Sequence, residues 1–126
     1  VDRGMASVAV AEGWAEEKAG GNKGVRSANK DAAEIPLCGM ETALKSYPLL
    51  EAMAEKGNPA SISDVGVGLI ATRGCIEGAG LNVLINLGGL KDEALKSSLG
   101  KRVREISDES EAAFEKISET VESKIA

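Results

Sequence analysis

The sequence predicts an all-α fold, an antiparallel helical bundle with a long C-terminal helix. Over the last third of the chain, apolar residues recur at three- and four-residue steps, the period of a helix with one buried face. Clusters of glycine and proline divide the remainder into segments of helical length. One run, residues 65–70, alternates like a strand, but no turn signal beside it closes a hairpin.

The core of this fold must consist mainly of aliphatic side chains. Of 126 residues, 43% are apolar, yet the chain has only one Trp, one Tyr and one Phe. A chain of this length suits a single domain, residues 1–126. Small side chains let helices approach closely but bury little area per residue. We therefore expect self-association, most simply as a homodimer.

Charge and composition exclude several classes of function. The net charge of −5, from 20 acidic and 15 basic residues, argues against a nucleic-acid partner, which calls for a basic surface. No apolar run approaches the roughly 20 residues that span a bilayer, so we expect no membrane association and a cytoplasmic location. Since the chain has no histidine, it cannot contain a Ser-His-Asp triad or a histidine zinc site.

Cofactors are not expected either. The two cysteines, Cys38 and Cys75, lack metal-ligand spacing, and we interpret them as buried thiols rather than a disulfide. The scattered carboxylates form no loop of alternating oxygen ligands, so we expect no metal.

The first half of the chain predicts two helices separated by a loop. Residues 1–18 present an apolar face, and the glycine-rich stretch 19–24 ends that helix. A second helix should begin near Arg26 and pass through Pro36, because apolar residues recur on both sides of that proline. We expect it to continue through residues 49–53 and to end at residues 56–59, Lys-Gly-Asn-Pro.

A glycine-rich helix should follow. Ser61 or Ser63 is a suitable N-cap, and Asp64 then lies in the first turn, where a negative charge is favourable. Each glycine inside a helix costs up to about 1 kcal/mol relative to alanine, so a helix rich in glycine normally packs closely against another backbone or a ligand. A turn at Gly88–Gly89 ends this segment.

The last helix, beginning near Asp92, is about 50 Å long. This length suggests that it packs along a bundle or a dimer partner. Its predicted apolar face comprises Leu95, Leu99, Arg102, Val103, Ile106, Ser110, Ala113, Phe114, Ile117, Val121 and Ile125. The opposite, solvated face should comprise Lys101, Arg104, Asp108, Glu111, Glu115 and Glu122.

Two stretches of the sequence have the motifs of a known family. Residues 28–37 (Ala-Asn-Lys-Asp-Ala-Ala-Glu-Ile-Pro-Leu) form an alanine-spaced helical segment. The block from Gly57 to Asn86 contains the elements Gly-Asn, Ser-Asp and Asn-Val-x-Ile-Asn in that order. Both stretches resemble the formiminotetrahydrofolate cyclodeaminase and methenyltetrahydrofolate cyclohydrolase family. On this resemblance, the chain is the C-terminal two-thirds of a longer cyclodeaminase/cyclohydrolase domain.

The resemblance implies a dimeric all-α enzyme that binds a tetrahydrofolate derivative as its substrate, near the subunit interface, and forms or hydrolyses the methenyl bridge. It suggests Asp2 and Asp64 as catalytic residues. Asn58, Ser63, Asn82 and Asn86 are the candidate substrate-binding residues, because amides and hydroxyls both donate and accept hydrogen bonds.

Each candidate also has a structural interpretation. Asp64 could serve only as a helix-capping residue and Asn58 only as a turn residue, while Asn82 and Asn86 could satisfy backbone groups or each other. The family's Pro-Gly-Gly-Gly-Ser turn is absent, and Gly4 rather than Asp2 could occupy the position of its catalytic Asp. A non-catalytic folate-binding relative and a helical dimerisation module therefore remain alternatives.

Overall fold

A computed structural model describes residues 23–125 as four α-helices and one short 3₁₀ helix. The α-helices are α1 (Lys23–Leu44), α2 (Ser46–Lys56), α3 (Ile62–Leu87) and α4 (Glu93–Ile125), and the 3₁₀ helix (Pro59–Ser61) precedes α3. The described range contains no strand, which confirms the all-α prediction and rules out a strand at residues 65–70. The helix predicted at residues 1–18 lies outside the described residues.

Helices α1 and α2 correct the prediction of one continuous helix. Helix α1 begins at Lys23, three residues before the predicted start, and continues through Pro36 as expected. It ends at Leu44, and Lys45 forms a turn before α2 begins. Pro48 is the third residue of α2, where a backbone N–H needs no partner within the helix. The helix therefore accommodates Pro48 because this residue lies in its first turn.

Helix α3 packs antiparallel to both α1 and α4. Gly80 of α3 lies against α1, where an added Cβ would approach Met40 Cε to 3.2 Å. At the end of α3, the Leu87 side chain lies beside Gly100 of α4. The buried apolar residues form one core: Ala33, Met40, Tyr47, Ala54, Ile62, Val65, Leu69, Ile76, Val83, Leu87, Leu90, Leu99, Val103, Ile106, Ile117 and Val121.

Helix α4 confirms most of its predicted apolar face. Its buried residues are Leu99, Gly100, Val103, Ile106, Ser110, Ile117 and Val121. Ile125 is the exception, being 60% exposed. The preceding residue, Lys124, donates hydrogen bonds to the backbone carbonyls of Ala54 and Glu55 at the end of α2. Among the described helices, Ile125 therefore lies beyond the end of α2, the element that packs against this part of α4.

Ion pairs link the helices at the edge of the core. Arg102 of α4 donates to both carboxylate oxygens of Glu41 on α1, with Nη2 to Oε2 at 2.7 Å. These hydrogen bonds hold the pKa of Glu41 below its ordinary value, against the opposing effect of burial. Arg73 donates to Glu111 at 2.9 Å, which places that predicted surface residue at a helix contact.

The cysteine prediction is wrong in one respect. Cys38 and Cys75 are free thiols, but both are exposed rather than buried. They line one open groove of about 720 Å³ between α1 and α3, together with Ile35, Gly39, Thr42, Ala43, Ser46, Ala71 and Thr72. Among the described helices, none has the length and apolar character needed to cross a membrane.

Candidate functional site

The candidate residues at the start of α3 follow a tightly turned segment. Gly57 ends α2 and donates its N–H to the Met53 carbonyl at 2.9 Å. A Cβ at Gly57 would lie 2.4 Å from that carbonyl oxygen, so only glycine fits here. The Asn58 side chain then accepts a hydrogen bond from the backbone N–H of Ala60 at 3.0 Å and caps the 3₁₀ helix. The turn function considered for Asn58 is therefore present in the structure.

Ser63 and Asp64 lie exposed in the first turn of α3. Ser61 is the N-cap residue, but its side chain makes no capping hydrogen bond. The Asp64 carboxylate is exposed, so a ligand can reach it. Its negative charge is also stabilised by the positive end of the helix dipole. A cationic group bound beside it would be attracted by the carboxylate charge, although the helix dipole at this end opposes a cation.

Asn82 and Asn86 lie near the other end of α3. The Asn82 side chain is exposed, and Asn86 is half-buried. Asn86 donates from Nδ2 to the backbone carbonyl of Asn82 at 2.7 Å. This bond holds the Asn86 amide in place, as the structural interpretation expected, and leaves its carbonyl oxygen available as an acceptor.

Asn29 is a residue that the sequence analysis did not single out. Its Nδ2 donates to the carbonyl of Gly89 at 3.2 Å, which joins α1 to the turn after α3. An added Cβ at Gly89 would contact the Asn29 amide at 3.5 Å. Asn29 belongs to the stretch on which the resemblance rests, but nothing in its spacing indicates contact with a residue 60 positions away.

A groove beside this contact contains two basic residues. Its volume is about 310 Å³, and its lining residues are Ser27, Asn29, Lys30, Gly89, Leu90, Lys91, Asp92 and Leu95. Lys30 also lies 3.8 Å from Glu34, a loose pair between exposed side chains. Lys30 and Lys91 could therefore turn toward an anionic group at the end of the bundle where Asn86 lies.

The structure separates the candidate residues into two groups. Asp64 and Asn82 lie on the same side of α3, because about five helical turns separate them. That separation is about 27 Å along the helix, too far for both to contact one reacting group. Asn58 and Ser63 accompany Asp64, and Asn86 accompanies Asn82. Asp2 lies outside the described residues.

Within residues 23–125, no three Cys, Asp or Glu side chains cluster closely enough to hold a metal ion. The side chains described at the two ends of α3 offer carboxylate, amide, hydroxyl and ammonium groups. These groups suit a ligand that carries both a cationic centre and anionic substituents.

Comparison with known proteins shows the family of this chain. The sequence profile described as formiminotransferase-cyclodeaminase matches residues 1–105. The chain belongs to the formiminotransferase-cyclodeaminase family. The match includes α1, α2, α3 and the first part of α4, so the residues at both ends of α3 lie within the family's own pattern.

Individual relatives in this family carry two names. A methenyltetrahydrofolate cyclohydrolase of Methylorubrum extorquens is 36% identical over 110 residues, which cover 87% of this chain and 53% of that protein. A formimidoyltransferase-cyclodeaminase of Sus scrofa is 35% identical over 80 residues, or 64% of this chain and 15% of that protein. The corresponding protein of Dictyostelium discoideum is 36% identical over 95 residues, or 75% of this chain and 18% of that protein. The chain thus spans about half the length of the cyclohydrolase relative.

Proposed function

We propose that this chain acts in one-carbon folate metabolism and forms or hydrolyses the 5,10-methenyl bridge of tetrahydrofolate. The observation that carries the proposal is the family match over residues 1–105, which includes the exposed Asp64 and Asn82 of α3. The relatives' names give two candidate reactions, cyclohydrolase and formimino cyclodeaminase. Both reactions involve the same bridging carbon.

The two reactions make similar demands on a site. In the hydrolysis, water adds to the cationic methenyl carbon, one carbon–nitrogen bond breaks, and a formyl compound and a proton are released. In the cyclisation, a folate nitrogen attacks the formimino carbon and ammonia leaves. Both routes place positive charge on the bridge, which a fixed carboxylate stabilises.

We assign roles in this chemistry to the candidate residues. The Asp64 carboxylate would face the cationic carbon and accept the proton of the attacking water. Ser63 and Asn58 would donate hydrogen bonds beside it. Because Asn82 and Asn86 of the same chain lie about 27 Å away along the helix, those of a second copy would bind the amide-like edge of the pterin ring. Asp2 is the second carboxylate assigned to catalysis by the resemblance. No cofactor is required, since the folate derivative is the substrate.

Thermal unfolding with and without 5-formyltetrahydrofolate tests the proposal. Ligand at about 100 times its dissociation constant stabilises the folded state by roughly 2.7 kcal/mol. For a domain of this size we expect the midpoint to rise by several degrees. No rise at millimolar ligand would contradict folate binding.

A matched pair of variants tests whether Asp64 takes part in catalysis. We expect Asp64→Asn to abolish turnover of a methenyl substrate, measured by the loss of its absorbance, while the protein stays folded with an unfolding midpoint only slightly lowered by the lost charge at the helix start. Asp108→Asn makes the same chemical change at an exposed position of α4 and should leave turnover unchanged. Equal turnover in the two variants would remove Asp64 from the mechanism.

We expect the protein to act as a cytoplasmic homodimer. A second candidate function, a helical dimerisation module without folate chemistry, is favoured by the apolar surface that α3 exposes, with Ile85 78% exposed. The sedimentation mass and the thermal shift with folate together distinguish the two functions. A dimer whose unfolding midpoint does not respond to the folate ligand would support the dimerisation module. A non-catalytic folate-binding relative would show the thermal shift without turnover.

A further inference from the structure

A series of three hydrogen bonds connects α1 to the two amides near the end of α3. The Asn29 side chain of α1 donates from Nδ2 to the carbonyl of Gly89 at 3.2 Å. The backbone N–H of Gly89 donates to the carbonyl of Asn86 at 3.3 Å, and Asn86 Nδ2 donates to the carbonyl of Asn82 at 2.7 Å. Asn29 is therefore connected, through one turn residue, to both amides that the proposed function assigns to the pterin ring.

Two contacts fix the turn after α3 to the rest of the bundle. Leu90 is buried in the core at 8% exposed, and the Asn29 amide binds the Gly89 carbonyl. The turn itself consists of Gly88 and Gly89, which have no side chains to pack, and glycine loses more conformational freedom on ordering than any other residue. The conformation that pairs the Gly89 N–H with the last turn of α3 therefore depends on the bond from Asn29.

The end of α3 is the part of that helix most easily disturbed. The last carbonyls of an α-helix have no partner within the helix, and helix ends open at a lower free energy than helix centres. The carbonyl of Asn86 accepts the Gly89 N–H, and its side chain bonds back to the carbonyl of Asn82. A shift of the glycine turn would thus move the Asn86 amide directly, and it would weaken the contact that Asn86 makes with the preceding turn.

We propose that Asn29 is a positioning residue of the candidate site. Its bond to Gly89 holds the last turn of α3, so that the amides of Asn82 and Asn86 keep the orientation in which they bind the substrate. The role of those two amides rests on the proposed function. Asn29 acts through the turn and does not itself need to contact the substrate.

The amide at position 29 has a specific chemical task. Its NH₂ group donates to the Gly89 carbonyl, which can only accept. Aspartate has the same shape, but it would place a second acceptor against that carbonyl with no proton between them. Leucine has a similar size and lacks both charge and donor. The variants Asn29→Asp and Asn29→Leu therefore remove the same bond in two chemically different ways.

Steady-state kinetics with 5,10-methenyltetrahydrofolate test the positioning role. We expect KM to rise about twofold to tenfold in both Asn29 variants, the range that the net contribution of one hydrogen bond allows, while kcat stays unchanged. A purely structural role would give a different pattern, because loss of folded protein lowers the apparent kcat and leaves KM unchanged. An unchanged KM in both variants would overturn the proposal. So would a rise in Asn29→Asp alone, which would assign the effect to charge.

The matched control is Thr42→Val. Thr42 donates from its hydroxyl to the carbonyl of Cys38 at 2.9 Å, so this change also removes a side chain-to-backbone hydrogen bond from α1. The lost bond lies within α1 and does not reach the end of α3. We expect the KM of Thr42→Val to equal that of the unmodified chain. A rise equal to that of the Asn29 variants would overturn the proposal.

Hydrogen exchange distinguishes this inference from the proposed function, because it needs no folate. In the full chain, we expect the backbone N–H groups of Gly89 and Leu90 to exchange about twofold to tenfold faster in Asn29→Leu. The increase should exceed any change at Val103, whose buried position reports opening of the whole bundle. Equal increases at all three would show a general loss of stability and overturn the inference alone. If the unmodified chain neither binds nor converts a folate, the proposed function fails, and the positioning role fails with it even if exchange at the turn is faster.

Discussion

The hydroxyl groups of Tyr47 and Ser110 lie 2.7 Å apart in the core and join α2 to α4 through one buried hydrogen bond. Ser110 occupies a position on the apolar face of α4 and is 3% exposed. Burial raises the pKa of Tyr47 above its ordinary value, because the phenolate would be poorly solvated there. The pair thus satisfies two polar groups that the surrounding aliphatic core could not.

Replacing Tyr47 with Phe should destabilise the protein by about 1 kcal/mol, because Ser110 is left buried without its partner. The expected fall in the thermal midpoint is several degrees. The double variant Tyr47→Phe, Ser110→Ala should recover part of the loss, since neither polar group then remains. A double variant less stable than the sum of the single changes would show that the bond is not the source of the effect.

The sequence allowed a better prediction for α4 than for α3, and their patterns explain the difference. On α4, charged residues alternate with one apolar stripe, so periodicity identifies the buried positions, as Ile106 and Ile117 illustrate. Helix α3 is apolar on nearly all sides. Periodicity predicts its helical structure but cannot distinguish the core side, with Leu69, from the exposed side, with Ile70.

The sequence predicted individual residues of the candidate site but not their positions relative to one another. The Gly57–Asn86 block resembles the family closely enough to single out Asp64 and Asn82. Their positions at opposite ends of one helix follow only once the segment is known to be a single uninterrupted helix. The Asn29–Gly89 contact depends on tertiary packing of α1 against α3, which no local pattern encodes.

Gly80 should tolerate no large side chain. A Cβ there already lies 3.2 Å from Met40 Cε and 3.7 Å from Val103 Cγ1, so Gly80→Leu would overfill the core and destabilise the protein by about 1–3 kcal/mol. Gly39→Ala is the control, because its Cβ meets nothing within 4 Å and alanine favours a helix. Urea unfolding should show a lower midpoint for Gly80→Leu and an equal or higher one for Gly39→Ala. Similar losses in both would contradict the close packing of α1 on α3.

The Arg102–Glu41 pair should make stability depend on pH in the acidic range. The pKa of Glu41 is lowered from its ordinary 4.5 by the hydrogen bonds from Arg102. The stabilisation is therefore complete above pH 4.5 and is lost as the pH falls through the lower folded-state pKa.

Arg102→Met should accordingly lower the thermal midpoint at pH 7, and the difference from the unmodified protein should shrink toward pH 3. Lys101→Met is the control, because Lys101 is 73% exposed and lies 3.9 Å from Glu105. A difference for Arg102→Met that stays constant from pH 7 to about pH 3 would show that packing, rather than the ion pair, accounts for the loss.

Arg73 should stabilise the contact between α3 and α4 through geometry that lysine cannot reproduce. Its guanidinium lies 4.5 Å from the centre of the Phe114 ring and donates to Glu111 at 2.9 Å. Lysine keeps the charge but not the planar group that stacks and forms hydrogen bonds in one fixed direction. Since the side chain is 36% exposed, solvent screening limits the expected loss for Arg73→Lys to about 0.5–1 kcal/mol. Chemical denaturation of Arg73→Lys, Phe114→Leu and the double variant measures the coupling free energy between the two side chains. We expect this coupling to be favourable. Strictly additive losses of stability would indicate that the stacking contributes nothing.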